Sequence, residues 1–224
     1  MKLLRLAVVS ALVLQTACAV SLKPPTSAPT ARKVEATYGS SIMKLDEFSV
    51  VGAAEQNLKV GLSINGLGGV SDSTSSTRFT VLRANQPFVR VSCTAGSEKA
   101  VMRLGSMKLN HPPYFVKCEG DGGFTLKVSG NPEKPLAGVV TWRGEEFRVK
   151  TVFDTAEQGQ SAHLGFVVEA RDGWVSTADI QGTTWVAQPV REEAREAMVL
   201  ANFAWASRRN VITAEASGFV INKI

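Results

Sequence analysis

Histidine and cysteine are both scarce in this chain, which has two histidines and three cysteines in 224 residues. The histidines, His111 and His163, stand in no HExxH pattern, and no CxxC pair occurs. A zinc site of recognised spacing is therefore excluded, and no metal or cofactor is expected. No G-x-S-x-G nucleophile turn is present; the nearest match, "GLSIN", lies inside a strand-like run. Dense basic runs are missing too. A formal net charge of +5 is too mild, and too scattered, for a nucleic-acid surface. Gly66, Gly68 and Gly69 precede neither a helix nor a Lys-Ser/Thr pair, so a phosphate-binding loop is excluded. No internal repeat is evident.

The amino terminus carries the clearest signal. MKLLR is a short positive segment, and LAVVSALVL is an apolar run too short to cross a bilayer about 30 Å thick as a helix. Small residues follow, as in a secretory signal peptide over 1–17. Two cleavage sites compete. Ala17-Cys18-Ala19 fits ordinary cleavage before Val20. Thr16, Ala17 and Cys18 are instead similar to the lipobox of bacterial lipoprotein precursors, with Gln15 where that family usually has leucine. The resemblance covers only residues 1–18. It implies lipidation at Cys18 and attachment to a membrane through an N-terminal lipid anchor. Ala19 after the cysteine further resembles outer-membrane sorting, which implies a protein facing the periplasm. A soluble periplasmic or secreted protein is the alternative.

Residues 18–37 are rich in Pro, Ser, Thr and Ala and lack hydrophobic periodicity, so they are expected to form a flexible, lipid-anchored linker. From residue 38 short strand-like segments recur about every ten residues with turn signals between them. They are 58–64, 77–83, 88–93, 99–104, 114–118 and 124–129, with the glycine- and serine-rich stretch 65–77 read as a loop. A β-rich module over 38–130 is expected, with Cys93 and Cys118 as a disulfide in an oxidising compartment. Pro132 and Pro135 suggest a boundary over 129–135. A second module, 136–224, would hold two hairpins, turning at Arg143-Gly144 and Asp172-Gly173, then one helix over about 189–208 and a last strand. The two modules can equally be one domain. The fold class is mainly β, an antiparallel sandwich or meander, with the C-terminal helix packed on a sheet; in class terms, all-β to α+β.

On that helix Val190, Ala194, Ala197, Met198, Ala201, Ala204 and Trp205 share one stripe. Glu192, Glu193 and Glu196 fall on a face expected to meet solvent. Phe203 falls off the stripe, so it needs a second contact or stays exposed. With a turn at Asp172-Gly173, Trp174 lies opposite Arg171 on a polar face. Trp174, Arg171 and Phe203 are therefore the candidate contact surface, and no catalytic residue is assigned. The function expected is a non-catalytic envelope lipoprotein, a binding, inhibitory or assembly module with an envelope protein or glycan as partner. An envelope hydrolase acting on glycan or peptide is the alternative.

Overall fold

The computed structural model describes residues 22–26, 28, 30–38, 43–63, 69–97, 114–130, 135–155, 161–179 and 183–207. The described residues are mainly β, with twelve antiparallel strands and one α-helix. The strands are β1 (Ala31–Tyr38), β2 (Met43–Leu45), β3 (Phe48–Ser63), β4 (Gly69–Arg83), β5 (Gln86–Ser97) and β6 (Tyr114–Gly120). They continue as β7 (Phe124–Gly130), β8 (Ala137–Trp142), β9 (Glu145–Thr155), β10 (Ser161–Ala170), β11 (Gly173–Asp179) and β12 (Thr183–Ala187), followed by α1 (Glu192–Ala206).

Each strand pairs with the next, and β1 pairs with β12 from Ala31↔Ala187 to Glu35↔Thr183. The sheet therefore closes into a barrel rather than splitting into a sandwich. Strands from both sides of the proline-containing stretch 129–135 belong to this one sheet, since β7 and β8 are hydrogen-bonded neighbours with Ser129 opposite Ala137.

Alternation decides which face is which. On β5, Val89, Val91, Cys93 and Ala95 are buried and face the lumen, while Arg90, Ser92 and Thr94 are exposed. On β9, Phe147, Val149 and Thr151 point in while Arg148 and Lys150 point out. This is apolar-in, polar-out; a bilayer-spanning barrel shows the reverse. The expected hairpin at Arg143-Gly144 is present, with Trp142 opposite Glu145 and Val140 opposite Phe147. Both turn residues have positive φ, 50° and 81°, which glycine tolerates at the second position and which matches the strand twist.

Several expectations need correction. Residues 31–37, expected as linker, belong to strand β1: Val34 and Ala36 face inward while Lys33 and Glu35 alternate outward. The serine-rich stretch 69–77 is the first part of β4, paired with β3 from Ser63↔Gly69 onward. Small hydroxyl side chains suit either face of a strand, and Ser75 and Thr77 are buried. The second turn falls at Arg171-Asp172, with Ala170 opposite Gly173, one residue earlier than expected. The expected strand 99–104, the expected last strand over 217–224 and His111 lie outside the described residues.

The largest correction concerns α1. From Glu196 to Trp205 every residue is buried, including Val199, Leu200 and Phe203, which lie off the expected stripe. Its apolar residues form one core cluster with the inward residues of the strands, and it contacts β7, β8, β10 and β11. The helix therefore sits inside the barrel, not on the face of a sheet.

Barrel size explains why. Twelve strands about 4.8 Å apart and tilted by about 40° close a cylinder roughly 24 Å across at the backbone. Inward side chains fill an eight-stranded barrel but leave a central hole at twelve. A helix about 10–12 Å wide with its side chains fills that hole. Alanines at 194, 197, 201 and 204 keep the helix slim, while Trp205 stacks on Phe166 with centroids 5.4 Å apart and planes 14° apart.

Candidate functional site

The lumen is closed at one end by charge. Glu196, 1% exposed, accepts hydrogen bonds from Trp142 Nε1 (2.9 Å) and Arg83 Nη1 (3.1 Å), and Arg143 Nη2 lies 3.2 Å from its carboxylate. The sequence placed this residue on a solvated face. Inside a barrel there is no such face, and a carboxylate survives there only with donors on it. Arg83 also reaches Glu47 (2.6 Å) and Glu192 (2.5 Å), and Arg195 reaches Asp46 (2.7 Å). Arg191 pairs with Glu145. The network ties the turns β2–β3, β4–β5 and β8–β9 to the first turns of α1.

Burial works to raise the Asp46 carboxyl, but hydrogen bonds and charge from Arg32 and Arg195 outweigh it and hold the group below the usual carboxylate range. A lowered folded-state value means this contribution is present above the unfolded value and is lost as pH falls through the folded one.

Cys93 and Cys118 face each other across β5 and β6 on the lumen side, with Sγ atoms 2.07 Å apart, consistent with the expected disulfide. Closing that loop of 25 residues contributes about 3.5 kcal/mol in the chain-entropy treatment. Both sulfurs are buried, so the bridge is a strut of the wall. Among the described residues no group of three or more His, Cys, Asp or Glu side chains is arranged to hold a metal ion.

The expected contact surface is not one surface. Phe203 is fully buried in the lumen and does not belong to it. Arg171 is exposed in the β10–β11 turn. Trp174 lies opposite Glu169 rather than Arg171, and its Nε1 donates to Thr177 Oγ1 at 2.9 Å. The cause is the earlier turn at Arg171-Asp172; a register shift then follows at Val168/Glu169, leaving Val175 as an extra residue and turning Ser176 inward. Trp174 stays on the outer face, half-buried.

Around Trp174 the outer wall changes character. On β10 to β12 the outward residues Val167 (8% exposed), Thr177 (3%) and Asp179 (4%) are buried, unlike their counterparts on β5 to β9. The N-terminal segment lies against this wall. Trp185 Nε1 donates to the Leu22 carbonyl at 2.9 Å. Leu22 also occupies the space over Gly165, where a Cβ would come within 2.3 Å of Leu22 Cδ1 and 2.2 Å of the Ala178 carbonyl oxygen. Farther along, Gln188 N donates to the Thr30 carbonyl at 2.8 Å, just before β1 begins. Leu22 is thus held on the β10–β12 wall, and the Thr30 bond extends the β1–β12 ladder by one step. Sequence reasoning missed the docking of Leu22. Its trace is Trp185, which alternates outward from Val186 with no obvious partner in its own hairpin.

No family model matches the chain, and neither a curated protein nor a solved structure does. Cys18 lies outside the described residues.

Proposed function

We propose that this protein is a non-catalytic, exported lipoprotein of the bacterial cell envelope, anchored through Cys18, which works as a binding or assembly module for an envelope protein or glycan. The observation that carries the reading is the filled lumen. With Glu196 to Trp205 buried on all sides, the barrel interior offers the strands' own helix a seat and leaves recognition to the outside of the molecule. A polar outer wall on β5–β9 supports a body that stands in water, and the signal-like residues 1–17 with Thr16-Ala17-Cys18 support an anchor behind it. Ala19 directs the proposal to the outer membrane, with the barrel facing the periplasm.

Labelled fatty acid tests the anchor. Wild-type protein should incorporate it and fractionate with membranes, while Cys18→Ser should take up none and appear in the soluble fraction. A wild-type protein that carries no label and begins at Val20 would overturn the proposal.

A further inference from the structure

If Cys18 carries the lipid, the docking of Leu22 determines how the barrel sits on the membrane. A free linker over residues 19–37 would let the domain stand off by roughly 25 Å as a flexible coil and tumble. The chain does not remain free for that long. It is fixed at Leu22, whose carbonyl is held by Trp185 and whose side chain covers Gly165. Only four peptide units separate Cys18 from Leu22, which fully extended span about 14 Å. That is less than the barrel's own width of roughly 24 Å. Leu22 lies on the side of the barrel, over Gly165 of β10 and beside Trp185 of β12.

The wall beside that point differs from the rest of the outside in the direction a lipid boundary favours. Trp174 and Trp185 are both outward and half-buried, with their indole N–H groups already satisfied by Thr177 and the Leu22 carbonyl. An indole with an apolar body and a paired N–H suits the headgroup level of a bilayer. Lys23, exposed next to Leu22, is a cation for anionic headgroups, while Arg171 in the β10–β11 turn sits beside the exposed carboxylate of Asp172.

We infer that the β10–β12 wall lies side-on against the membrane surface, its partner being the phospholipid headgroup layer, with Trp174 and Trp185 at the lipid–water boundary and the polar β5–β9 wall turned to the aqueous side. This rests on anchoring through Cys18.

The test uses the full lipidated chain in vesicles of phosphatidylethanolamine and phosphatidylglycerol doped with a phospholipid brominated near the headgroup. Bromine quenches indoles within contact range, and Trp142 and Trp205 are buried in the lumen and serve as an internal reference. Wild-type fluorescence should be quenched, and most of the quenching should disappear in the Trp174→Phe, Trp185→Phe double variant. A flexible twelve-residue insertion between Ala19 and Val20, and separately Leu22→Gly, should also remove most of it while the protein still sediments with the vesicles. Sedimenting protein without quenching, or quenching unaffected by the insertion, would overturn the inference and leave the anchor standing. Protein that lacks the lipid by mass spectrometry and does not sediment would overturn both.

Discussion

The β5–β9 wall and the β10–β12 wall belong to one sheet and face the same helix, yet their outer faces differ. Along β5–β9 the outward positions carry Arg90, Thr94, Lys117, Lys127, Arg148 and Lys150. Along β10–β12 they carry Gly165, Val167, Glu169, Trp174, Thr177, Asp179 and Trp185, and Leu22 lies over Gly165 and against Trp185. The inner faces are alike in being buried, mainly apolar with a few hydroxyls such as Thr151 and Ser176, and their apolar residues share one core cluster with α1. A barrel needs an apolar lining all round, because that lining and the helix are its core. Its outside is free to vary, and an outward stretch that is buried points to a covering. The difference between the walls is therefore a record of what touches the outside.

The two walls should respond alike to damage on the inside and differently to damage on the outside. The largest effect is expected in the lumen. Trp205→Ala removes a ring stacked on Phe166 of β10 and leaves a cavity in the filled core, costing about 3–5 kcal/mol in a denaturant melt. Equal midpoints for the variant and the wild type would mean that the helix does not fill the barrel. A smaller effect should separate the outer faces. Val167→Ala, under the covered wall, should cost about 1–2 kcal/mol from lost burial. Lys127→Ala, on the open wall, should stay within about 0.5 kcal/mol. If both outward changes were neutral, the covered wall would be no different from the open one.

Local pairing was legible in the sequence, and closure was not. The Arg143-Gly144 hairpin could be read to the residue because its turn dipeptide and its two segregated faces agree on one register. The Asp172-Gly173 reading put the turn one residue late, and the extra residue Val175 then breaks the alternation that would have fixed the register. Strand β1 hid behind the prolines before it, although Val34 and Ala36 alternate with Lys33 and Glu35. Whether twelve strands make a sandwich or a barrel depends on pairing β1 with β12, a contact between residues about 150 positions apart that leaves no local trace.

The helix shows the same limit. Its stripe pointed to one buried face because an amphipathic pattern is normally read against a flat partner. A lumen buries every face, so Phe203 and Glu196 could be placed only once the barrel was known. Of the candidate site, the face of Trp174 depended on where the turn fell: a longer turn would have flipped it inward, and the pairing with Arg171 was misplaced. The docking of Leu22 was not legible, since proline-rich sequence reads as linker whether or not it has a wall to lie on.

Helix α1 forms the core of the barrel. Amide hydrogen exchange on the intact protein tests this most directly. Buried helices that are part of a cooperative core open only when the whole domain does, whereas helices docked on a surface open locally. The amides from Leu200 to Trp205 should exchange as slowly as those of β8 and β9 and with the same dependence on denaturant. Exchange on this segment that is fast and independent of denaturant, while β8 and β9 remain protected, would contradict a helix-filled barrel.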